Sequence, residues 1–501
     1  MKKNTSSEKN ILIVGGGTAG WMTANLLAKS LSSQGFNISL LESSNIPTVG
    51  VGEGSTPYIK RFFDTLGISE QEWMPACHAT YKGGITFDNW STKNGHSSYF
   101  HPFTSSLDAN SFDVFKQVTM LRHANYHVDA HPNSYFLQAE LIKQGRLPVS
   151  NNQSKVSSIY AYHFDATKLG AFLKQHAATL GVKHVVDEVN QVNLGNSGEI
   201  ASVTTKAGRT IEADIFVDCT GFKALLIQET LGVEFNSFKD NLFNDSAVAI
   251  ATVKKEQYAP HTVSTALSTG WKWDIPLTSR TGNGYVYSSD FLSADLAEQE
   301  LRQAINATDG NTDARHLKMK VGRLEKHWHK NCVAIGLSQG FIEPLEATAL
   351  HIVQLSIEQF IVQYERGNYT NQYQDFFNHG VNHVFEHIRD YIVLHYLTNS
   401  RDDSEYWKAC RNDIKISDRL QAAMEVWCNG GDLDAELNHQ QVTQYYSSMS
   451  WHVLLAGMGV FPELNVAQEN PHLQAQQVLK DLRKEIGSHT HFFPLSSNNR
   501  G

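Results

Sequence analysis

The chain has 501 residues, 41% hydrophobic and 19% charged, which allows one large or two to three ordinary soluble domains around a sizeable core. A formal charge of −9 leaves no basic stripe for nucleic acid and argues weakly against anionic membranes. The 5 cysteines are scattered, odd in number and without a CxxC, so neither a disulfide framework nor a zinc site is indicated and a reducing compartment fits.

The start "MKKNTSSEKNILIVGGG" is basic, but its apolar run covers only Ile11 to Val14, too short for a signal peptide. No later run reaches the roughly 18 apolar residues that span a membrane, so a cytoplasmic protein without a membrane partner is expected. "ILIV" reads as a strand, "GGGTAG" as a glycine turn, and "WMTANLLAKSLSSQG" as a helix stopped by Gly35. "NISLLES" is the next strand, which completes a βαβ opening of a parallel sheet. Further on, "YHFDATKLGAFLKQHAATLG" reads as helical and "SNNQSKVSS" (Ser150–Ser158) as a surface loop. "KHVVDEVNQVNL" and "IASVTTKAGRTIEADIFVDCTG" read as strands with turns.

From "AVAIATVKK" through "GWKWDIPL" to "GYVYSSDFL" the pattern predicts an antiparallel sheet, with "TSRTGNG" supplying a glycine hairpin turn. Strand periodicity puts Trp271, Trp273 and Ile275 on one face and Lys272 and Asp274 on the other. After Pro344, "EATALHIVQLSIEQFIVQYERG" aligns Ala349, Ile352, Val353, Ile357, Phe360 and Ile361 along one helical face. The remainder is rich in helical pattern, aromatics and histidine. The 23 histidines do not cluster at metal-ligand spacing, so no metal is expected.

The chemistry begins at Gly15-x-Gly17-x-x-Gly20, set between strand and helix. The three glycines serve a tight turn, close approach to a pyrophosphate and helix–strand packing, and the amides of Thr18 and Ala19 face the phosphates at the helix start. Glu42 closes the second strand, placed to accept from ribose hydroxyls. A second glycine-rich loop, "VGVGEGSTP", offers Val51, Gly52 and Glu53 to a flavin or its phosphates. "ADIFVDCTGF" ends a strand in Asp218 and Gly221, and "NCVAIGLSQGFIEPLEATALH" is a third strand-to-helix crossing carrying Gly336, Leu345, Ala349 and Leu350. Pro344 suits the first turn of the helix that follows, whose start leaves amides free for an anion. Three such turns in this order favour FAD over NAD.

"GGGTAGWMTA", "GWKWDIP" and "EPLEATALH" together resemble the flavin-dependent tryptophan halogenase family, over nearly the whole chain. The most specific part is the WxWxIP portion of GxWxWxIP, matched by Trp271, Trp273, Ile275 and Pro276, with Gly270 directly before Trp271. The resemblance implies a mixed α/β fold with a Rossmann-like FAD-binding core of the glutathione-reductase/hydroxylase type, an inserted antiparallel sheet and a helical C-terminal part. The boundaries expected are 1–350 for the core and 351–501 for a mostly helical substrate-binding part packed on it. It implies that an NAD(P)H-dependent flavin reductase delivers FADH2. The flavin then reacts with O2 to a hydroperoxide, chloride or bromide is oxidised to hypohalous acid, and that oxidant reaches a second site to halogenate an electron-rich ring.

Carried over residue by residue, the oxidant-handling lysine is Lys82 in "TYKGGITF", and the partner carboxylate is Glu346. Thr348 and Ala349 would offer backbone amides to the halide. The family often has serine after the glutamate and glycine after the threonine; here these are Ala347 and Ala349. "FHPF" places His101 and Phe103 as substrate-stacking aromatics. In "HQQVTQYYSSMSWHVLLAGMG" Tyr445, Tyr446 and Trp451 supply a further wall, without the acidic clamp of tryptophan-specific members. A small indole-type aromatic is therefore expected as readily as free tryptophan, and a homodimer is compatible with the pattern. Two other functions fit a flavin fold: a single-component aromatic hydroxylase, and a catalytically silent flavin-binding protein.

Overall fold

The structure is a computed structural model that describes residues 9–45, 52–307, 312–464 and 472–496. The chain divides into two compact units, each assembled from three segments. Met1–Ala79, Phe164–Phe238 and Met319–Glu386 form the first; Thr80–His163, Lys239–Lys318 and His387–Gly501 form the second.

The first unit is built on a six-stranded sheet ordered Trp328–His329, Cys332–Ala334, Ile215–Asp218, Lys9–Val14, Phe36–Glu42 and Lys183–Val186. All neighbours are parallel except the Trp328–His329/Cys332–Ala334 pair. Both faces of such a sheet are covered, which is why "ILIV" and "IFVD" are unbroken buried runs rather than alternating ones. The helix Thr18–Leu31 follows the glycine turn and ends through a short 3₁₀ turn at Gly35, whose φ of +88° favours glycine. Buried Asn25 donates to the carbonyl of Leu173 at 2.9 Å, tying this helix to Ala166–Thr179.

Two local expectations change. "AYHFD" is not helical: Ala161–Asp165 is a strand, and the helix begins at Ala166 because the Asp165 carboxylate accepts from the Lys168 amide and caps it. Pro344 does not open the long helix. It starts a separate 3₁₀ turn, Pro344–Glu346, ended by Ala347 at φ +56°, and the helix runs from Ala349 to Arg366 with Thr348 at its cap. Ile352, Val353, Ile357, Phe360 and Ile361 are buried as the periodicity requires, while Ala349 is only partly so.

The second unit carries a seven-stranded sheet ordered Ala314–Lys318, Ser246–Val253, Arg280–Tyr287, Gly270–Pro276, Thr262–Leu267, Gly84–Asp88 and Ser98–Pro102. It is antiparallel except where Thr262–Leu267 meets Gly84–Asp88. The hairpin expected at "TSRTGNG" turns earlier: the Leu277 amide donates to the Arg280 carbonyl at 2.9 Å, and Gly282 and Gly284 lie inside the following strand. Gly284 faces Trp273 across the ladder, and a β-carbon there would stand 1.9 Å from the indole. That glycine makes room for a ring rather than a turn. Trp271, Trp273 and Ile275 are buried at 2%, 6% and 6% exposure, while Lys272 and Asp274 are partly exposed. The strand Thr80–Lys82, which pairs with Ala161–Asp165, lies outside this sheet, and helices of this unit include Asp108–His123, Leu433–His439 and Ser448–Gly457.

Among the described residues no helix is long and apolar enough to cross a membrane, and no group of three or more His, Cys, Asp or Glu could hold a metal ion.

Candidate active site

The first unit gathers the residues suited to a dinucleotide. Gly15 turns at φ +115°, and a β-carbon there would stand 2.2 Å from the backbone oxygen of Cys219. Gly20 closes against the Gly15 carbonyl in the same way, at 2.0 Å. By contrast a β-carbon on Gly17 would meet nothing within 4 Å, so space opens at this point of the turn. The Trp21 amide makes the first helical bond, to Gly17, which leaves the amides of Thr18, Ala19 and Gly20 ahead of the helical ladder. An open face, free amides and the positive end of a 14-residue helix fit a pyrophosphate.

Glu42 reaches over this turn. Its Oε2 occupies the place a Gly16 β-carbon would need, at 1.7 Å, while Oε1 accepts from Lys174 Nζ at 2.9 Å and His184 Nε2 at 2.8 Å. Those two partners steer the carboxylate, and neither was legible from the glycine motif. Asp218 is bonded within its own turn. It is fully buried, with Oδ1 accepting from the Thr220 amide and hydroxyl and Oδ2 from the amides of Leu226 and Ile227. What it offers a cofactor is the shape of the turn that holds Gly221, itself at φ +72°. Gly336, at φ +81°, packs on Ala19, where a β-carbon would come within 2.7 Å of the alanine's own. Val51 lies outside the described residues. Gly52 and Glu53 form a short strand, and burial with the charge of Asp165 pushes the Glu53 carboxyl up to about 7.

In the same unit a second helix start is suited to an anion. Leu345, Glu346 and Thr348 are buried, and Ala349 and Leu350 begin the 18-residue helix. The first bond from this helix to its cap is Ile352 to Thr348 at 2.9 Å, so the amides of Ala349, Leu350 and His351 precede it. The Thr348 hydroxyl is buried and has no hydrogen-bond partner among the described residues, a donor suited to an anion. His351 stacks on Tyr58 with centroids 4.5 Å apart, and burial lowers its pKa to about 4, so it stays neutral here.

The second unit gathers the residues suited to oxidant and substrate. Lys82 ends the strand Thr80–Lys82 and is 0% exposed. Its Nζ lies 5.6 Å from the centre of the Phe103 ring, within cation–π range. The geometry follows from backbone bonds: the Phe103 amide donates to Gly83 at 2.9 Å, and the Gly83 amide to Pro260 at 2.7 Å. His101, buried in the strand Ser98–Pro102, faces the Tyr391 hydroxyl at 3.5 Å. Tyr391 in turn stacks on Tyr446 at 3.7 Å and meets Trp451 edge-on at 5.4 Å. His101, Tyr446 and Trp451 are thus brought together by Tyr391, a residue with no local sequence signal, since it sits in an ordinary helical pattern. Phe103 is directed to Lys82, and Tyr445 lies against His387 at 5.5 Å.

One acid stands at the start of the Trp451 helix. Asp434 is hydrogen-bonded by Ser448, by His452 at 3.0 Å and by Lys116 at 2.9 Å. Burial alone would raise its pKa, but these three donors outweigh it and hold the carboxylate ionised well below its usual range.

Comparison with known proteins identifies the family. The tryptophan halogenase family model matches residues 10–472. Tryptophan 6-halogenase SttH of Streptomyces toxytricini is 39% identical over 450 residues, 85% of this chain and 84% of its own. Tryptophan 7-halogenase RebH of Lentzea aerocolonigenes is 34% identical over 479 residues, 90% of each chain. Among solved structures, BrvH, a flavin-dependent halogenase from Brevundimonas sp. BAL3, superposes with a TM-score of 0.83 at 32% identity, covering 97% of this chain and 98% of that one. With the family model spanning nearly its whole length, the chain belongs to the tryptophan halogenase family and is a flavin-dependent halogenase.

Proposed function

We propose that this enzyme uses reduced FAD, oxygen and chloride or bromide to halogenate a small electron-rich aromatic of the indole type, with Lys82 handling the oxidant. The glycine turn at Gly15–Gly20 and Glu42 hold the cofactor; Thr348 and the amides at the start of the Ala349 helix hold the halide. Bound flavin supplies, with oxygen, the oxidising equivalent that turns halide into hypohalous acid.

Lys82 carries the reading: a fully buried ammonium at an aromatic ring, in the unit that also holds His101, Tyr391, Tyr446 and Trp451. Its N–H groups donate to the oxygen of hypohalous acid and make the halogen more electrophilic. The ring carbon then bonds to halogen, the halogen–oxygen bond breaks, and hydroxide leaves as water with a proton from Lys82. Glu346 is assigned the ring proton, and solvent returns a proton to the lysine. Trp271 and Trp273 carry no step of the chemistry in this reading.

SttH and RebH are tryptophan halogenases. Here Asp434 is already committed to Lys116, His452 and Ser448. That supports an aromatic without a charged amino-acid head, bound by stacking in the helical part from residue 351 onward. A separate NAD(P)H-dependent reductase delivers the reduced flavin, and five free thiols suit work in the cytoplasm.

The test is a panel of indoles and phenols incubated with reductase, FAD and each halide separately, read by mass spectrometry. Halogenated indole with the isotope pattern of the added halide is expected. Unaided NADH oxidation with hydroxylated product would establish the hydroxylase instead. No product from any substrate would leave a silent flavin-binding protein.

A further inference from the structure

One histidine beside Lys82 has no part in the chemistry above. The strand Thr80–Lys82 pairs antiparallel with Ala161–Asp165, setting Thr80 opposite His163 and Lys82 opposite Ala161. Thr80, Lys82 and His163 therefore project from one face of the ladder. The Thr80 hydroxyl donates to the Pro276 carbonyl at 2.7 Å. With that proton committed, the 3.2 Å contact between Thr80 Oγ1 and His163 Nδ1 requires the histidine to donate. Its Nε2 is then the acceptor, and takes the Thr262 hydroxyl at 2.8 Å. The ring is 0% exposed and fully bonded as one neutral tautomer. Burial holds its pKa well below 6.5, and the charges of Lys82 and His261 push in the same direction.

These bonds join strands that matter to the reaction. Thr80 stands two residues before Lys82, Pro276 ends the Trp271/Trp273 strand, and Thr262 opens the strand beside it. We infer that His163 is a positioning residue for Lys82, tying the lysine's strand to the tryptophan strand and its neighbour through a neutral imidazole. Neutrality is part of the function: a second cation on this buried face would repel the lysine. The inference rests on the proposed role of Lys82.

The test compares wild type with His163→Phe, which removes both bonds and keeps a ring, and with Thr262→Val and Thr262→Ser. Three quantities are read: hypohalous acid released, captured by a scavenger; halogenated aromatic formed; and the thermal midpoint. His163→Phe and Thr262→Val should lower product per hypohalous acid on the order of tenfold to a hundredfold, the scale of a misplaced reacting group. Release of hypohalous acid should stay near the wild-type level, and Thr262→Ser, which keeps the hydroxyl, should restore the ratio. An unchanged ratio in His163→Phe, or a parallel fall of both quantities with the thermal midpoint, overturns the inference. If His163→Phe does not fold, Thr262→Val decides in the same way. A wild-type protein that releases hypohalous acid yet halogenates no aromatic overturns the proposed function first, and this inference with it.

Discussion

Replacing Gly15 by alanine tests the cofactor site where the structure is least forgiving. Two costs arise from one methyl group. At φ +115° the backbone is in a region L-residues rarely occupy, a strain of about 1–3 kcal/mol. The new β-carbon would also stand 2.2 Å from the Cys219 backbone oxygen and 2.6 Å from its carbonyl carbon. A carbon–oxygen contact needs about 3.3 Å, so roughly 1 Å of separation must be found. Neither side yields easily. The Gly15 amide is bonded to Leu41 at 2.8 Å, and the Cys219 amide to Val14 at 2.8 Å, so the clash sits between two parallel strands. Overpacking of this kind costs about 1–3 kcal/mol. Together the two terms come to roughly 2–6 kcal/mol, and relief can come only by opening the turn that presents the Thr18–Gly20 amides. At about 1.4 kcal/mol per tenfold, FAD affinity should fall at least about thirtyfold. The assay is equilibrium titration of apoprotein with FAD followed by flavin fluorescence, with circular dichroism to establish that the variant is folded. Gly487→Ala is the control, because a β-carbon there meets nothing within 4 Å. A folded Gly15→Ala protein that binds FAD as tightly as the control would refute the reasoning.

Further outcomes follow from the same geometry. Lys82→Ala should cut ring halogenation by about 10²–10⁴, the usual scale of a lost proton-transfer group, while hypohalous acid is still released; product at the wild-type level would remove Lys82 from its role. Trp271→Phe should leave halogenation largely intact: the indole N–H groups of Trp271 and Trp273 have no partner among the described residues, so the swap sacrifices packing but no hydrogen bond. A loss of activity comparable to that of Lys82→Ala would show the pair to take part in the chemistry. Glu53 supplies a pH signature. Its folded pKa is raised from 4.5 to about 7, so the folded state favours the protonated form. Stability from this group is complete below about pH 4.5 and is lost as pH rises through about 7. Glu53→Gln should therefore raise the melting temperature of apoprotein at pH 8 relative to wild type and change little at pH 4; an equal shift at both would contradict this.

Local chemistry carried much of the first unit. Gly15, Gly17 and Gly20 announce a strand–turn–helix because each position's demand is met within six residues. The buried stripe of the Ala349–Arg366 helix follows from its own periodicity. Boundaries failed where a single side chain or turn residue outvoted the pattern. Asp165 caps a helix whose pattern runs on from the preceding strand, and Ala347 at φ +56° separates Glu346 from the helix that follows. Gly282 and Gly284 resemble turn residues in sequence, and only the facing Trp273 gives Gly284 its reason.

By itself the sequence determined the βαβ opening, the alternating faces of Trp271 and Trp273, and, through matched motifs, the family. These depend on spacing along the chain, which folding does not alter. Tertiary structure decided what lies next to what across hundreds of residues. It brought Tyr391 to His101, 290 positions away in sequence. It set Lys174 and His184 on Glu42 and committed Asp434 to Lys116 and His452. It locked His163 between Thr80 and Thr262 behind Lys82. Such contacts arise when strands and helices remote in the chain bury their faces together, and no local pattern records which remote partner will supply the bond.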